Sequence, residues 1–130
     1  QSARKAGKIL PAGLTGANCP MEPILVLTNF PDRASALALA QKLVDERLAA
    51  CVNVLADCTS VYRWQEKIEN ASEVPVFIKT LAQHYPRVEQ AVKAMHPYEL
   101  PEIIAVPISN GLPAYMQWMA AETLAFPDKT

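Results

Sequence analysis

The side chains best suited to chemistry lie in one seven-residue segment, His96-Pro97-Tyr98-Glu99-Leu100-Pro101-Glu102. This segment combines an imidazole, two carboxylates and a phenol, and its two prolines reduce the entropy lost when these groups are held in place. Imidazole and carboxylate groups suit a divalent ion such as Cu(II) or Zn(II). The alternative is a rigid turn in which His96 interacts with the carbonyls that end the preceding helix. The segment alone leaves both interpretations open.

Tyr62, Arg63 and Trp64 form a second candidate group, on a predicted strand. Alternate residues of a strand share a face, so Tyr62 and Trp64 lie together and Arg63 lies opposite. Aromatic rings can stack on nucleic-acid bases, but a net charge of -1 and the lack of a basic stripe argue against that partner. Trp, Tyr and Arg also anchor protein interfaces, so we predict an interface here.

Lys79, at the end of the third predicted strand, has two possible roles. It either pairs with a carboxylate such as Glu99 or is solvated.

The other reactive side chains do not form a catalytic arrangement, and we predict that the protein is not an enzyme. Cys51 and Cys58 are seven residues apart, which places them on opposite faces of a strand unless it contains a bulge. Cys51 is then a small buried hydrophobe, and His84 is solvated. Gly111 is the only glycine after residue 20, which excludes glycine-rich phosphate loops. Three cysteines without a disulfide spacing indicate reduced thiols and a cytoplasmic protein.

Hydrophobic periodicity predicts seven elements that must position these groups. They are a strand at residues 24–28, a helix from Asp32 to about Leu48, strands at 50–64 and 68–79, a helix at 83–95, a strand at 102–108 and a helix from Pro113. Two split crossovers in this order predict a ferredoxin-like α+β sandwich with an extra C-terminal helix.

The second and third strands are joined by a short link and are unusually long, which predicts a hairpin that projects beyond the domain. Its exposed edges would invite pairing with another chain. Proline cannot donate a hydrogen bond to a neighbouring strand, so Pro107 predicts an edge position for the fourth strand. Pro75 must lie either in the projecting part of the hairpin or at a bulge.

The composition suggests that part of the surface is covered by other subunits. Of the 130 residues, 51% are apolar and only 19% are charged, whereas soluble domains average about 25% charged residues. Residues 1–20 contain three basic and no acidic residues, which leaves a net charge of -4 on the rest. We predict a flexible extension at 1–20 and a single domain at 21–130. No run of 18 apolar residues is present, which argues against a membrane helix.

Four segments together resemble the successive motifs of the CutA family of divalent-cation tolerance proteins. They are RLAACVN at residues 47–53, SVYRWQ at 60–65, IKT at 78–80 and HPYELPE at 96–102, and the resemblance covers residues 23–125. It implies a ferredoxin-like fold and a homotrimer similar to the PII signalling proteins, with long hairpins packed between subunits. It also implies a cytoplasmic protein that confers tolerance to divalent metals, copper especially, and for which no catalytic activity is firmly established.

The resemblance also implies a binding cleft between subunits, near His96, Tyr98 and Glu99. The predicted ligands of Cu(II) or another weakly bound divalent metal are His96, Glu99 and Met95, and folding does not require the metal. The other predicted cleft residues are Tyr98, Glu102, Lys79, Arg63 and Trp64, and the predicted interface residues are Tyr62 and Trp64. Divalent metal ions and further copies of the chain are the expected partners, and the protein partner is left open.

Three positions depart from the family pattern. Thr28 stands where a cysteine can occur, and Met95 where a second histidine can occur, so the ligand set lacks a thiolate. Glu66 stands where glycine is common, which costs about 1 kcal/mol if the backbone there has a positive φ. The alternative function is a PII-like regulatory module that binds a small anionic metabolite or a partner protein, with Lys79 and Arg63 as counter-charges.

Overall fold

The computed structural model describes residues 21–123, so the predicted extension at 1–20 and the last residues, 124–130, lie outside the described range. The elements in chain order are β1 (Pro23–Phe30), α1 (Arg33–Asp45), β2 (Cys51–Val54), β3 (Cys58–Trp64), β4 (Lys67–Leu81), a 3-10 turn (Ala82–His84), α2 (Tyr85–Met95), β5 (Ile103–Pro107) and α3 (Pro113–Thr123). None of the helices within 21–123 is long and apolar enough to cross a membrane.

The strands form an antiparallel sheet in the order β2-β4-β1-β5, with β3 paired to the first part of β4. Burial alternates along β1, because the buried residues of one sheet face pack against α1 and α2 in a single core. The long β1 and β4 are central and β5 is an edge strand, as predicted from Pro107, which pairs with Ile24. The fold is therefore the predicted ferredoxin-like α+β sandwich with an additional C-terminal helix.

The hairpin formed by β3 and β4 projects beyond the sheet. It runs from the pair Cys58–Glu73 to the pair Trp64–Lys67. The central strand β1 pairs with β4 only as far as Val74. The seven pairs of the hairpin therefore extend about 20 Å past β1, at roughly 3.3 Å per residue.

The strand predicted over residues 50–64 is interrupted by a bulge. Residues 55–57 stand opposite only Val74 and Pro75 of β4, so this strand contains one extra residue. The carbonyl of Pro75 accepts a hydrogen bond from the backbone N–H of Leu55 at 2.9 Å. The N–H and C=O of a strand residue point to the same side. The N–H that Pro75 lacks would therefore point toward the bulge, where the regular pairing is interrupted. Of the two positions predicted for Pro75, the bulge is the correct one.

Helix α1 ends at Asp45 and not near Leu48, because the following residues form a Schellman motif. The backbone N–H of Leu48 donates to the carbonyl of Leu43, and that of Arg47 donates to the carbonyl of Val44. Arg47 has a φ of 59°, in the left-handed region where glycine is usual. The chain reverses there and buries Leu48 beside Leu43 in the core. Hydrophobic spacing could not indicate this end, since Leu48 is apolar and buried whether or not the helix continues.

The hairpin tip is a two-residue turn in which Gln65 and Glu66 have φ values of 52° and 69°. Two consecutive positive φ values define a type I′ turn, which favours glycine at its second position. We expect Glu66→Gly to raise the free energy of unfolding by about 0.5–1 kcal/mol, measured by chemical denaturation. Glu69→Gly, within β4, is the control and should lower it by a similar amount. Changes of the same sign in both variants would contradict this account of the turn.

His84 is buried at the end of the 3-10 turn, so the prediction that it is solvated is wrong. Burial lowers its pKa, the charge of Arg87 lowers it further, and a hydrogen bond to the backbone of Thr123 partly opposes them. The imidazole is therefore mostly neutral in the folded protein at neutral pH.

Because the pKa of His84 is lower in the folded than in the unfolded chain, the unfolded state binds more protons below pH ~6.5. Stability is therefore expected to fall as the pH drops from about 6.5 through the lowered folded value. The measurement is the free energy of unfolding of the wild type and of His84→Gln between pH 5 and 7. The wild type should lose more stability on acidification, and parallel curves for the two proteins would contradict the assignment.

Candidate functional site

A cavity of about 850 Å³ opens between the hairpin and the segment that joins α2 to β5. Its polar and aromatic lining comes from both parts: Tyr62, Trp64 and Glu73 from the hairpin, and Tyr98, Glu99 and Glu102 from the segment. Asn29, Ser60, Val61, Leu100 and Pro101 complete the lining. The hairpin aromatics and residues 98–102, which the sequence indicates separately, thus line one cavity, whereas His96 is not among the lining residues.

His96 is only 8% exposed, and both of its ring nitrogens form hydrogen bonds within the chain. Nε2 lies 2.5 Å from the backbone carbonyl oxygen of Asn29, and Nδ1 accepts from the backbone N–H of Tyr98 at 3.1 Å. A backbone N–H can only donate, so Nδ1 is unprotonated and Nε2 carries the hydrogen. The ring also packs against those of Phe30 and Tyr98, with centroids 4.4 and 4.7 Å away. His96 therefore joins the end of α2 to β1.

This geometry bears on both interpretations of the segment. The ring of His96 bonds to a carbonyl of β1 and not to the carbonyls at the end of α2, so the rigid-turn interpretation had the wrong partner. Only the backbone N–H of His96 contacts the helix end, at the carbonyl of Lys93. A metal ion could reach the ring only by displacing one of its two hydrogen bonds.

Tyr98 connects the segment to the hairpin. Its hydroxyl donates to Oε2 of Glu73 at 3.1 Å. Burial raises the pKa of Tyr98, and the hydrogen bond to Glu73 and the negative charge of Glu73 raise it further. The phenol is therefore protonated and remains a donor at neutral pH.

Glu99 and Glu102 are exposed carboxylates at the rim of the segment and line the cavity. The side-chain amide of Asn29 donates to Oε1 of Glu102 at 2.9 Å. Asn29 thus binds His96 through its backbone and Glu102 through its side chain, which fixes both ends of the segment to β1. Glu99 forms no side-chain hydrogen bond within residues 21–123, so its carboxylate is available to a ligand.

The structure does not bring the other predicted site residues to this cavity. Met95 packs against the hydrophobic core. Thr28, which stands where family members can have a cysteine, is buried on β1. The ammonium group of Lys79 lies 6.0 Å from the ring centroid of Tyr115 in α3. Arg63 is exposed on β3 and alternates with the two aromatics, as predicted, and it does not line the cavity.

The bulge changes the placement of the cysteines. Cys51 and Cys58 pair with Lys79 and Glu73, which are six residues apart on β4 and therefore on the same face. The prediction of opposite faces is wrong because of the extra residue between β2 and β3. Six residues of strand span about 20 Å, so the two thiols still cannot share an ion. Both are free and half-buried, so Cys51 is less buried than predicted.

Glu73 is a charged lining residue that the sequence does not indicate. It is only 8% exposed, although it lies on the projecting hairpin. It is covered partly by Tyr98, which is 25 residues further along the chain. No local pattern distinguishes it from the exposed Glu69 on the same strand, so only the tertiary contact reveals it.

The lining of the cavity favours a positively charged ligand. It contains three carboxylates and three aromatic rings, and no basic side chain of the described residues contributes to it. Within residues 21–123, however, no three His, Cys, Asp or Glu side chains are close enough together to hold a metal ion.

The ferredoxin-like sandwich, its projecting hairpin and the acidic cavity between the hairpin and residues 98–102 define a small α+β protein with a candidate ligand site. The model of the family described as CutA1 divalent ion tolerance protein matches residues 24–122. The chain belongs to this family, which confirms the resemblance carried by its four motifs.

Individual family members agree with this assignment. The divalent-cation tolerance protein CutA of Thermus thermophilus is 41% identical over 103 residues, which are 79% of this chain and 99% of that protein. The crystal structure of CutA from Xylella fastidiosa has 45% identity and a TM-score of 0.76, and covers 78% of this chain and 98% of its own. A protein described as the periplasmic divalent cation tolerance protein CutA of Archaeoglobus fulgidus has 33% identity and the same TM-score, with 78% and 99% covered.

Proposed function

We propose that this protein is a cytoplasmic homotrimer that confers tolerance to divalent cations, copper among them. It would act by binding the ion stoichiometrically or by sensing it, and not by turnover. The observation that carries this proposal is the cavity lined by Glu73, Glu99 and Glu102 without a basic side chain of the described residues. Membership of a family named for divalent ion tolerance supports it. Among the described residues of the lining, Ser60 is not hydrogen-bonded to a histidine or a carboxylate, and the phenol of Tyr98 stays protonated, so we propose no turnover.

In this proposal Glu99 is the first ligand, because its carboxylate is exposed and faces the cavity without an intramolecular partner in the described range. Glu102 is a second carboxylate, already oriented by Asn29. The imidazole of His96 would join after its Nδ1 releases the backbone N–H of Tyr98. Met95 would have to leave its packing against the core, so its thioether is the weakest of the proposed ligands. Carboxylate and imidazole ligands are compatible with Cu(II).

Two features support a trimer with the site between subunits. The ligand set within residues 21–123 is incomplete, which is expected of a site that neighbouring subunits complete. The sheet face that is not packed against α1 and α2 has exposed apolar side chains on β5, notably Ile104 and Val106. A cytoplasmic location is supported by the free thiols of Cys51 and Cys58, which suit a reducing compartment.

The test is a Cu(II) titration of the wild type and of Glu99→Gln, followed by calorimetry. We expect Glu99→Gln to weaken binding by about tenfold or more, because a neutral amide is a poorer ligand than a carboxylate. The control is Glu46→Gln, which alters an exposed carboxylate that pairs with Lys42 on α1. Equal affinities in Glu99→Gln and the wild type would remove Glu99 from the site.

The alternative function, binding of a small anionic metabolite, has less support from the geometry. Its proposed counter-charges, Lys79 and Arg63, do not line the cavity. The three carboxylates that do line it would repel an anion. A thermal-shift screen separates the two functions, because a ligand that binds only the folded state raises its stability. Stabilisation by organic acids or nucleotides and not by metals would favour the alternative.

A further inference from the structure

The buried carboxylate of Glu73 lacks a counter-ion among the described residues. Its Oε2 accepts one hydrogen bond, from the neutral phenol of Tyr98. Its Oε1 has no hydrogen-bond or ion-pair partner within residues 21–123, where the ion pairs are Lys42–Glu46 and Arg47–Glu122. Glu73 is 8% exposed and opens onto the cavity, so its carboxylate can accept hydrogen bonds from a ligand there. Because Glu73 lines the cavity, a ligand there can supply the missing positive charge.

The aromatic side chains around Glu73 restrict the kind of cation. Tyr62, Trp64 and Tyr98 line the same cavity. The faces of such rings attract organic cations at about 6 Å from the centroid, and tryptophan does so most strongly. A hydrated divalent ion requires several converging oxygen ligands and gains nothing from an indole ring. The aromatic part of the lining therefore has no role in metal binding but suits an organic cation.

The size and the apolar part of the cavity agree with a small organic molecule. Its volume of about 850 Å³ lies in the range of sites for small ligands, roughly 300–1,000 Å³, and greatly exceeds the space that one metal ion needs. Val61, Leu100 and Pro101 add apolar surface beside the carboxylates. This combination can contact the methylene chain of a ligand while Glu73 binds its charged end.

We propose that the cavity binds a small organic cation with N–H donors, of the alkylammonium or guanidinium class, with its charged group between Glu73 and the aromatic rings. The N–H groups of the ligand donate to Oε1 of Glu73, and its positive charge lies against the faces of Trp64 and Tyr62. A guanidinium group suits this position, because it combines paired donors with a planar surface that stacks on aromatic rings. The inference goes beyond metal binding and does not depend on it.

The test uses the full chain, freed of metal by a chelator, and agmatine as the guanidinium probe. The protein has two tryptophans, and Trp118 does not line this cavity, so Trp118→Phe leaves Trp64 as the only tryptophan, which can be excited selectively. We expect a saturable change in Trp64 fluorescence with agmatine. Tetramethylammonium, which has charge but no N–H donor, should bind several-fold more weakly, and the dianion glutarate should not bind.

Glu73→Gln is the decisive variant, because its amide can still accept from Tyr98 but has no negative charge. We expect at least a tenfold loss of affinity for agmatine, roughly the effect of one hydrogen bond to a charged group. Glu66→Gln is the matched control, since it removes an exposed hairpin carboxylate that does not line the cavity. Its affinity should equal that of the wild type.

Three results would overturn the proposal: no saturable response to agmatine up to about 10 mM, equal binding by Glu73→Gln and the wild type, or equal responses to glutarate and agmatine. The first is also the result expected if a cationic side chain of another subunit already fills the cavity. If Glu73→Gln does not fold, the ranking of the three probes on the Trp118→Phe protein decides. Because the titration is done without metal, a failure of the Cu(II) titration does not affect it.

Discussion

Replacing His96 with alanine is expected to lower the free energy of unfolding by about 2–4 kcal/mol. The substitution removes a buried ring that packs against Phe30 and Tyr98 and leaves a cavity in its place. It also leaves the carbonyl of Asn29 and the backbone N–H of Tyr98 without their partner. Both losses act at the junction of α2, β1 and the 96–102 segment, so the segment should also become less ordered.

Chemical denaturation measures this effect, and His96→Gln is the matched variant. A glutamine amide can still donate a hydrogen bond toward Asn29 but lacks the ring, so it should recover part of the lost stability. Equal unfolding free energies for His96→Ala and the wild type would contradict the structural role. The result also limits what a metal titration of His96→Ala can show, since weaker binding could follow from the loss of order. Glu99→Gln avoids this difficulty, because Glu99 is exposed.

The second large effect is expected from Ile104→Glu combined with Val106→Glu, which should convert the proposed trimer into monomers. Ile104 and Val106 are 50% and 41% exposed and alternate on β5, while Ile103 packs against the core. They pair with the half-buried Leu27 and Leu25 of β1, so these four side chains share one apolar sheet face. Burying a carboxylate in an interface between such faces costs several kcal/mol, enough to prevent association.

Sedimentation equilibrium at micromolar concentration is the measurement. The wild-type mass should be about three times the 14.2 kDa of one chain, and the mass of the double variant should equal one chain. Leu37→Glu is the control, because Leu37 is also 50% exposed but lies on α1, on the other side of the sheet. It should leave the mass unchanged. A wild-type mass near 14.2 kDa would contradict the trimer itself.

The order of the elements was predictable, because apolar residues repeat with the period of a strand or a helix. Prolines helped as well: Pro107 indicated the edge strand, and Pro75 indicated either a bulge, which lies opposite it, or a position in the projecting hairpin. The end of α1 was not predictable, because Arg47 adopts a conformation usual for glycine. Residue spacing could not locate the bulge either, and that single extra residue reversed the predicted relation between Cys51 and Cys58.

The candidate site was predictable in its parts. The imidazole, carboxylate and phenol of the 96–102 segment and the hairpin aromatics stand out by residue type. Their common cavity depends on how far the hairpin projects and on the hydrogen bond between Tyr98 and Glu73. Glu73 itself was missed, and Lys79 of the same chain does not line the cavity, since neither neighbourhood follows from local sequence.

The amino-acid order was enough to establish the family, the ferredoxin-like sandwich and the segment that faces the cavity, because periodicity and motif spacing are local properties of the chain. Tertiary structure was needed to determine which atoms of that segment are free. In the folded protein both ring nitrogens of His96 form hydrogen bonds, whereas Glu99 is exposed. Tertiary structure also buries Glu73 without a cation among the described residues. Burial and hydrogen-bond partners arise from residues that are distant along the chain, here 67 positions for His96 and Asn29 and 73 for Glu102 and Asn29. For that reason only the folded protein reveals them.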